Sequence, residues 1–231
     1  DLGCGNMEAG FAQADQIFED VFEVPAIHHA PMEPHVSLCD YDIDGKLTVY
    51  TPSQDVFGQR KNLAKIFGLP MNKVRVISPA MGGGFGGKID LVTEPVGALL
   101  SMKTGHPVKI VYTRREDIQS GTTRHAEKIY IKTGVKNDGH ITACDYKVYL
   151  SAGAQSGATM SVAWAAGGKF FKIFSIPNMH YHAIPVYTNR SIAGAMRGFG
   201  SPQLFFALNS QFNHIAKCLE MDFCDFEKMN M

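Results

Sequence analysis

Residues Met81-Gly82-Gly83-Gly84-Phe85-Gly86-Gly87-Lys88 place five glycines in six positions. That density serves unusual backbone angles or the close approach of something bulky, and it builds a loop that presents N–H groups. The loop follows a predicted strand and precedes a predicted helix, so phosphate binding at a helix N-terminus is the first chemistry it suggests. Two nucleotide-binding patterns overlap it: G-x-x-x-x-G-K from Gly82 to Lys88, and G-x-G-x-x-G through Gly82, Gly84 and Gly87. Both fail on context. A P-loop needs Ser or Thr after the lysine to hold Mg²⁺, and Ile89 has no oxygen to offer. A dinucleotide fold wants an acidic residue about 20 positions on, and residues 105–113 contain none.

A second segment, Ala195-Met196-Arg197-Gly198-Phe199-Gly200-Ser201-Pro202-Gln203, sets an arginine and an aromatic ring among small residues at a helix start. Arginine suits planar oxyanion recognition, and Phe offers a stacking face for a flat ring. His28, His29 and His35 lie near Glu33, but their spacing fits no helix-borne pair of metal ligands and reads as structural. Scattered methionines read as core filler. Glu94 is either a charge favoured near a helix start or a residue supporting the glycine loop.

The elements that must position these residues follow from pattern. Residues 45–51 read as a strand leading to Ser53 as N-cap of a helix that ends near Phe67, stopped by Gly68 and Pro70. Val74 to Ile77 reads as a short buried strand. Leu91 to Thr104 reads as a helix closed by Gly105 and Pro107, and residues 108–112 as a strand, giving a β–loop–α–β unit. Residues 126–134 and 140–151 flank KNDGH and read as an antiparallel hairpin. Ser201 as cap and Pro202 at the first helical position open a final helix to about Leu219. The small-residue stretch Ser151 to Gly168 reads as a loop or as a place of close approach to a ligand. The expected class is α+β, a mixed sheet with antiparallel hairpins and packed helices.

Composition narrows the function. Twenty-two basic residues cancel 22 acidic ones, so no field would gather nucleic acid or an anionic membrane. With 45% apolar residues the chain can build a core. The five cysteines form no C-x-x-C pair for zinc, haem or an iron–sulfur cluster and read as reduced cytoplasmic thiols. No stretch reaches the roughly 18 apolar residues of a membrane helix.

MGGGFGGK and RGFGSPQ, with IPN at 176–178 between them, resemble the molybdopterin-binding large subunits of the xanthine dehydrogenase/aldehyde oxidase family. The resemblance continues through HAPMEPH at 29–35, YTPSQDVF at 50–57 and KTGHPVKIVYTRRED at 103–117, so it covers nearly the whole chain. It implies that residues 1–231 are the first of two molybdenum-side domains, with the second absent from this chain. It also implies that Gln54 hydrogen-bonds an oxygen-type ligand of molybdenum and that Phe199 is the ring over which substrate stacks. Gly83, Gly84, Phe85 and Gly86 would lie against pterin and metal, and Arg197 would grip the cofactor. No protein side chain would ligate the molybdenum. The cofactor implied is molybdenum-molybdopterin in its cytosine-dinucleotide form.

The family hydroxylates electron-poor carbon with water as oxygen donor, the cofactor taking two electrons. Its general-base glutamate would lie beyond residue 231, on a second molybdenum-side subunit or domain, as expected for a split subunit like that of nicotinate dehydrogenase or for a truncated product. Iron–sulfur and FAD partners would carry electrons away, the former through [2Fe–2S] clusters, in a heteromeric complex. Family members acting on xanthine carry a glutamate where Ile89 stands and an arginine where ungapped register puts Ala165. Loss of both anchors would leave a purine edge unpaired, at about 1–3 kcal/mol per buried group. The expected small-molecule substrate is therefore another flat N-heteroaromatic, such as nicotinate, or an aldehyde. The rival readings are a nucleotide-binding module without redox activity and an inactive fragment.

Overall fold

A computed structural model describes all 231 residues. In chain order the elements are β1 (Leu2–Cys4), α1 (Met7–Ala12), β2 (Gln16–Val24), β3 (Val36–Tyr41), β4 (Leu47–Tyr50), α2 (Val56–Phe67), β5 (Val74–Ile77), α3 (Glu94–Thr104), β6 (Val108–Val111) and α4 (Arg114–Ser120). There follow β7 (Glu127–Val135), β8 (Ile141–Gly153), α5 (Thr159–Ile173), β9 (Met179–Tyr187), α6 (Ser201–Cys218) and α7 (Phe223–Asn230). Two compact units result. The first takes 1–26, 125–193 and 198–231, and the second takes 27–124 and 194–197.

The first unit is built on a five-stranded sheet of order β1-β9-β8-β7-β2, in which β8 and β9 run parallel and the other neighbours antiparallel. The β7–β8 hairpin closes through Lys136 to His140, with Gly139 at φ 95°, as its Asn-Asp-Gly requires. Alternation along these strands buries Ile129, Ile131, Tyr146, Val148 and Leu150, which join Phe170 of α5, Phe212 of α6 and Phe226 of α7 in one core. Each such side chain contributes about 1.5–3 kcal/mol on leaving water.

The stretch expected as a loop from Ser151 to Gly168 is instead the end of β8, a turn and most of α5. Its small residues serve packing: a Cβ on Gly167 would stand 2.6 Å from the Tyr181 ring, so glycine lets the helix lie on the sheet. The last helix, α7, was not expected. Asp222 caps it by accepting from the N–H groups of Cys224 and Asp225, and buried Asn230 accepts from Ile141 N–H at 2.8 Å.

The second unit has a four-stranded sheet of order β5-β4-β3-β6, against which α2 and α3 pack. Cys39, Leu47, Val49, Leu63, Val74, Val76 and Ala98 form its core. The β–loop–α–β unit is present, but β5 and β6 sit at opposite edges, so α3 crosses the whole sheet. Asp55, not Ser53, caps α2 by accepting from Gly58 N–H at 2.9 Å, while the Ser53 hydroxyl accepts from Asp55 N–H. Gly200, not Ser201, is the N-cap of α6, because Ser201 already has helical geometry and its hydroxyl bonds back to the Gly198 carbonyl. The helix expected from Leu91 starts at Glu94.

All five cysteines are free; Cys39 and Cys144 are buried, and Cys4, Cys218 and Cys224 are exposed. Burial pushes both buried thiols up to about 12, which makes them poor nucleophiles. A thiol reagent at neutral pH should titrate three groups in the folded chain and five in denaturant. Five in the folded chain would contradict the two cores. No helix is long and apolar enough to cross a membrane.

Candidate functional site

The glycine loop is a succession of turns in the second unit, leaving β5. Gly83 (φ 99°), Phe85 (φ 53°) and Gly86 (φ 102°) take left-handed backbone conformations, which disfavour residues with a Cβ. The unit itself crowds the loop: a Cβ on Gly84 would stand 2.4 Å from Gln54 Oε1, and one on Gly86 would stand 2.4 Å from the Ala195 carbonyl oxygen.

Gln54 closes the loop from below. Its backbone N–H donates to the Lys88 carbonyl at 2.9 Å, and its Oε1 accepts from Gly86 N–H at 2.9 Å and Lys88 N–H at 3.3 Å. Two backbone donors on one oxygen fix the orientation of the amide, so the exposed NH₂ group is left as a donor with no protein partner. The N–H groups of Gly83, Gly84 and Phe85 also meet no protein acceptor. Gly84 is buried. A buried N–H without a partner is rare enough to mark a place for a ligand atom.

Charged groups hold this arrangement. Glu33 Oε2 accepts from Gly82 N–H at 2.9 Å and from the Lys88 ammonium at 2.7 Å, and Glu33 N–H donates to the Gly82 carbonyl at 3.1 Å. Lys88 is only 1% exposed. Partial burial pushes the Glu33 carboxyl up, but the hydrogen bonds from Lys88 and Gly82 and the Lys88 charge bring it below the usual carboxylate range.

Asp117, fully buried, accepts from His35 N–H at 2.9 Å, from His35 Nδ1 at 2.6 Å and from Arg114 Nη1 at 3.1 Å. His35 Nε2 in turn lies 3.0 Å from the Gly87 carbonyl. Burial raises the Asp117 carboxyl, yet the side-chain and backbone hydrogen bonds from His35, with its charge and that of His28, pull it below the usual range. Burial lowers both His28 and His29. His29 Nε2 donates to the Ala195 carbonyl at 2.7 Å, which ties residues 194–197 to the rest of the unit. The three histidines thus serve structure, and two of them, His35 and His29, fasten the loop and the segment beside it.

Arg197 donates its backbone N–H to the Phe85 carbonyl at 2.9 Å, and its own carbonyl accepts from Arg124 Nη2 at 2.8 Å. Its exposed guanidinium makes no ion pair or hydrogen bond. The second unit thus gathers Gln54, Gly83, Gly84, Phe85, Gly86 and Arg197, of which Gly86 has already given its N–H to Gln54. Phe199 belongs to the first unit, half-buried, with φ 50°.

Phosphate binding at a helix N-terminus is overturned. Residues 89–93 separate the loop from α3, and Glu94, expected as a helix-start charge or a support for the loop, sits buried at the first helical position. Its carboxylate accepts from Thr51 Oγ1 at 2.6 Å and Val92 N–H at 2.8 Å. Lys88, which a P-loop would aim at phosphates, is buried against Glu33. Sequence patterns did not single out Glu33, Asp117 and Arg124 as supports. For Glu33 and Asp117 the signal was there in HAPMEPH and TRRED, where charges stand among residues suited to burial and must find partners; Arg124 lies outside both segments.

The loop thus presents unpaired N–H groups, an amide donor of fixed orientation and a free guanidinium, a set of donors suited to a ligand rich in acceptor atoms. The Molybdopterin cofactor-binding domain family matches residues 1–231. A probable xanthine dehydrogenase component of Bacillus subtilis (strain 168) is 38% identical over 98% of this chain and 30% of its own length. "Nicotinate dehydrogenase large molybdopterin subunit" of Eubacterium barkeri is 35% identical over 99% of this chain and 54% of its own. Among solved structures, the aldehyde oxidoreductase from Desulfovibrio gigas superposes with a TM-score of 0.92 at 27% identity, over 99% of this chain and 26% of that one. The chain belongs to the molybdopterin cofactor-binding domain family of the xanthine dehydrogenase and aldehyde oxidase type. It spans about half or less of the length of these relatives.

Proposed function

We propose that this chain is the part of a molybdenum hydroxylase that holds molybdopterin and shapes one wall of the active site. The observation that carries the reading is the Gln54 amide, whose oxygen is locked by two loop N–H groups while its NH₂ stays free. In this reading the NH₂ donates to an oxygen ligand of molybdenum, Gly83, Gly84 and Phe85 offer N–H groups to the cofactor, Gly86 keeps the loop closed, and Arg197 meets its anionic part. Phe199 provides the stacking face for substrate. The cofactor, when bound, supplies two-electron redox chemistry with water as oxygen source.

Residues 1–231 would form the first of two molybdenum-side domains. A second molybdenum-side subunit or domain would bring the base glutamate, and partners with [2Fe–2S] clusters and FAD would remove electrons. The cytosine-dinucleotide form of the cofactor and a cytoplasmic location complete the proposal, the latter resting on five unpaired thiols. The substrate would be a flat N-heteroaromatic compound or an aldehyde. Relatives carry names referring to xanthine, hypoxanthine and nicotinate, and another is an aldehyde oxidase. Half-buried Ile89 offers no carboxylate to a purine edge, which argues against a purine.

The test is elemental analysis of the complex that this chain forms in its native cell. One molybdenum per chain, with pterin and iron–sulfur partners, supports the reading; a metal-free chain would favour an inactive fragment. Gln54→Glu adds a sharper test, because its carboxylate still accepts from Gly86 and Lys88 but cannot donate. Turnover per molybdenum should fall about 10²–10³-fold, the usual loss for one preorganised donor. Unchanged turnover would remove Gln54 from the chemistry.

A further inference from the structure

One carboxylate oxygen touches both ends of the glycine loop. Glu33 Oε2 takes the N–H of Gly82, where the loop begins, and the ammonium of Lys88, where it ends. The same residue's N–H holds the Gly82 carbonyl at 3.1 Å. Gly82 is glycine for this reason, since a Cβ there would stand 2.6 Å from Glu33 Cβ. Burying an ammonium to 1% exposure is costly unless it is paired, and Glu33 is the acid that Lys88 pairs with. An apolar pair would have closed the same space at less electrostatic cost, so the ion pair fits a need for fixed geometry better than a need for stability.

From these contacts we propose that Glu33 and Lys88 are positioning residues of the cofactor loop, a clamp that sets the spacing and direction of the free N–H groups of Gly83, Gly84 and Phe85. The inference rests on the proposed cofactor function of that loop. The clamp touches no cofactor itself; it acts through the backbone between its two jaws. Supporting groups of this kind commonly change metal affinity or activity about 10–100-fold when removed.

The experiment uses the whole complex purified from the native cell, as wild type, Glu33→Gln, Lys88→Met and the double variant. Two quantities are read: the rate at which molybdenum and pterin leave the protein after transfer to cofactor-free buffer, and the EPR spectrum of the Mo(V) state. Each single variant leaves a group of the pair unmatched and should melt earlier. The double variant, with no unpaired charge, should recover thermal stability yet still lose pterin about 10–100-fold faster than wild type, with an altered Mo(V) spectrum. A double variant that matches wild type in release rate and spectrum would overturn the clamp. Should the double variant not fold, Glu33→Asp carries the test by the same two criteria, because its shorter arm keeps the charge but cannot reach both ends. A wild-type complex without pterin would instead overturn the cofactor function, and the clamp with it.

Discussion

Gly86→Ala should cost at least about 3 kcal/mol of stability and strip the complex of most of its molybdenum. The backbone there has φ 102°, a region that residues with a Cβ occupy at about 1–3 kcal/mol of strain. The new methyl would also stand 2.4 Å from the Ala195 carbonyl oxygen and 3.0 Å from Met196 Cα, both backbone atoms that cannot swing aside. Relief requires the loop to part from residues 195–197, and with it go the Gly86 N–H bond to Gln54 and the Arg197 N–H bond to Phe85. Gly68→Ala is the control, since Gly68 is also left-handed at φ 63° but nothing lies within 4 Å of its missing Cβ. It should cost only about 1–2 kcal/mol. Urea denaturation of both variants checks the pair, and equal losses would show that crowding by Ala195 is not what demands glycine.

The second large effect is expected at Asp117. Asp117→Ala removes the acceptor for His35 N–H, His35 Nδ1 and Arg114 Nη1 from a fully buried position. Breaking a buried charged network in this way typically costs about 3–5 kcal/mol. The loss should depend on pH, and its sign follows from the depressed carboxyl. A group whose folded pKa lies below its unfolded value stabilises the fold above the unfolded value, about 3.9 for Asp. That contribution fades as pH falls through the folded pKa. The gap between wild type and Asp117→Ala should therefore be full at pH 7 and shrink below about pH 4. His28 and His29 are lowered by burial, so the unfolded chain binds more protons there. They weaken the fold earlier, as pH drops through about 6.5. Denaturant midpoints at pH 7, 5.5 and 3.5 separate the two windows, and a gap that grew toward acid would reverse the assignment.

Local patterns reached well into this fold where one segment carried the whole signal. Val74–Ile77 has the bounds that alternation suggests, α2 ends at Phe67 before a left-handed Gly68, and Asn-Asp-Gly turns the β7–β8 hairpin. Arg197, singled out in its own segment, and Gln54, named only through the family resemblance, both reach the glycine loop. What escaped was set by distant partners. Helix α5 hides in a Gly/Ala-rich run because its small residues answer to packing on a distant strand, with the Tyr181 ring close against Gly167. Strand β2 buries no residue fully, so its pattern is faint, and cross-strand pairs such as Lys132–Glu19 cover its outer side. Glu33 is 55 residues from Lys88 and His35 is 82 from Asp117. No window of local sequence contains either pair.

The route of the chain through the second unit carries a consequence for biosynthesis. That unit is made of residues 27–124 and then four more, 194–197, which return after the chain has passed through α5 and β9. Ala195 and Arg197, which accept from His29 and donate to Phe85, are thus the last parts of this unit to leave the ribosome. A nascent chain halted at residue 190 would own the whole glycine loop and still lack its final wall. Under the proposed cofactor role of the loop, loading would wait until residue 197 has emerged, since residues 194–197 complete the unit, and a folded apoprotein would be the species that receives the pterin.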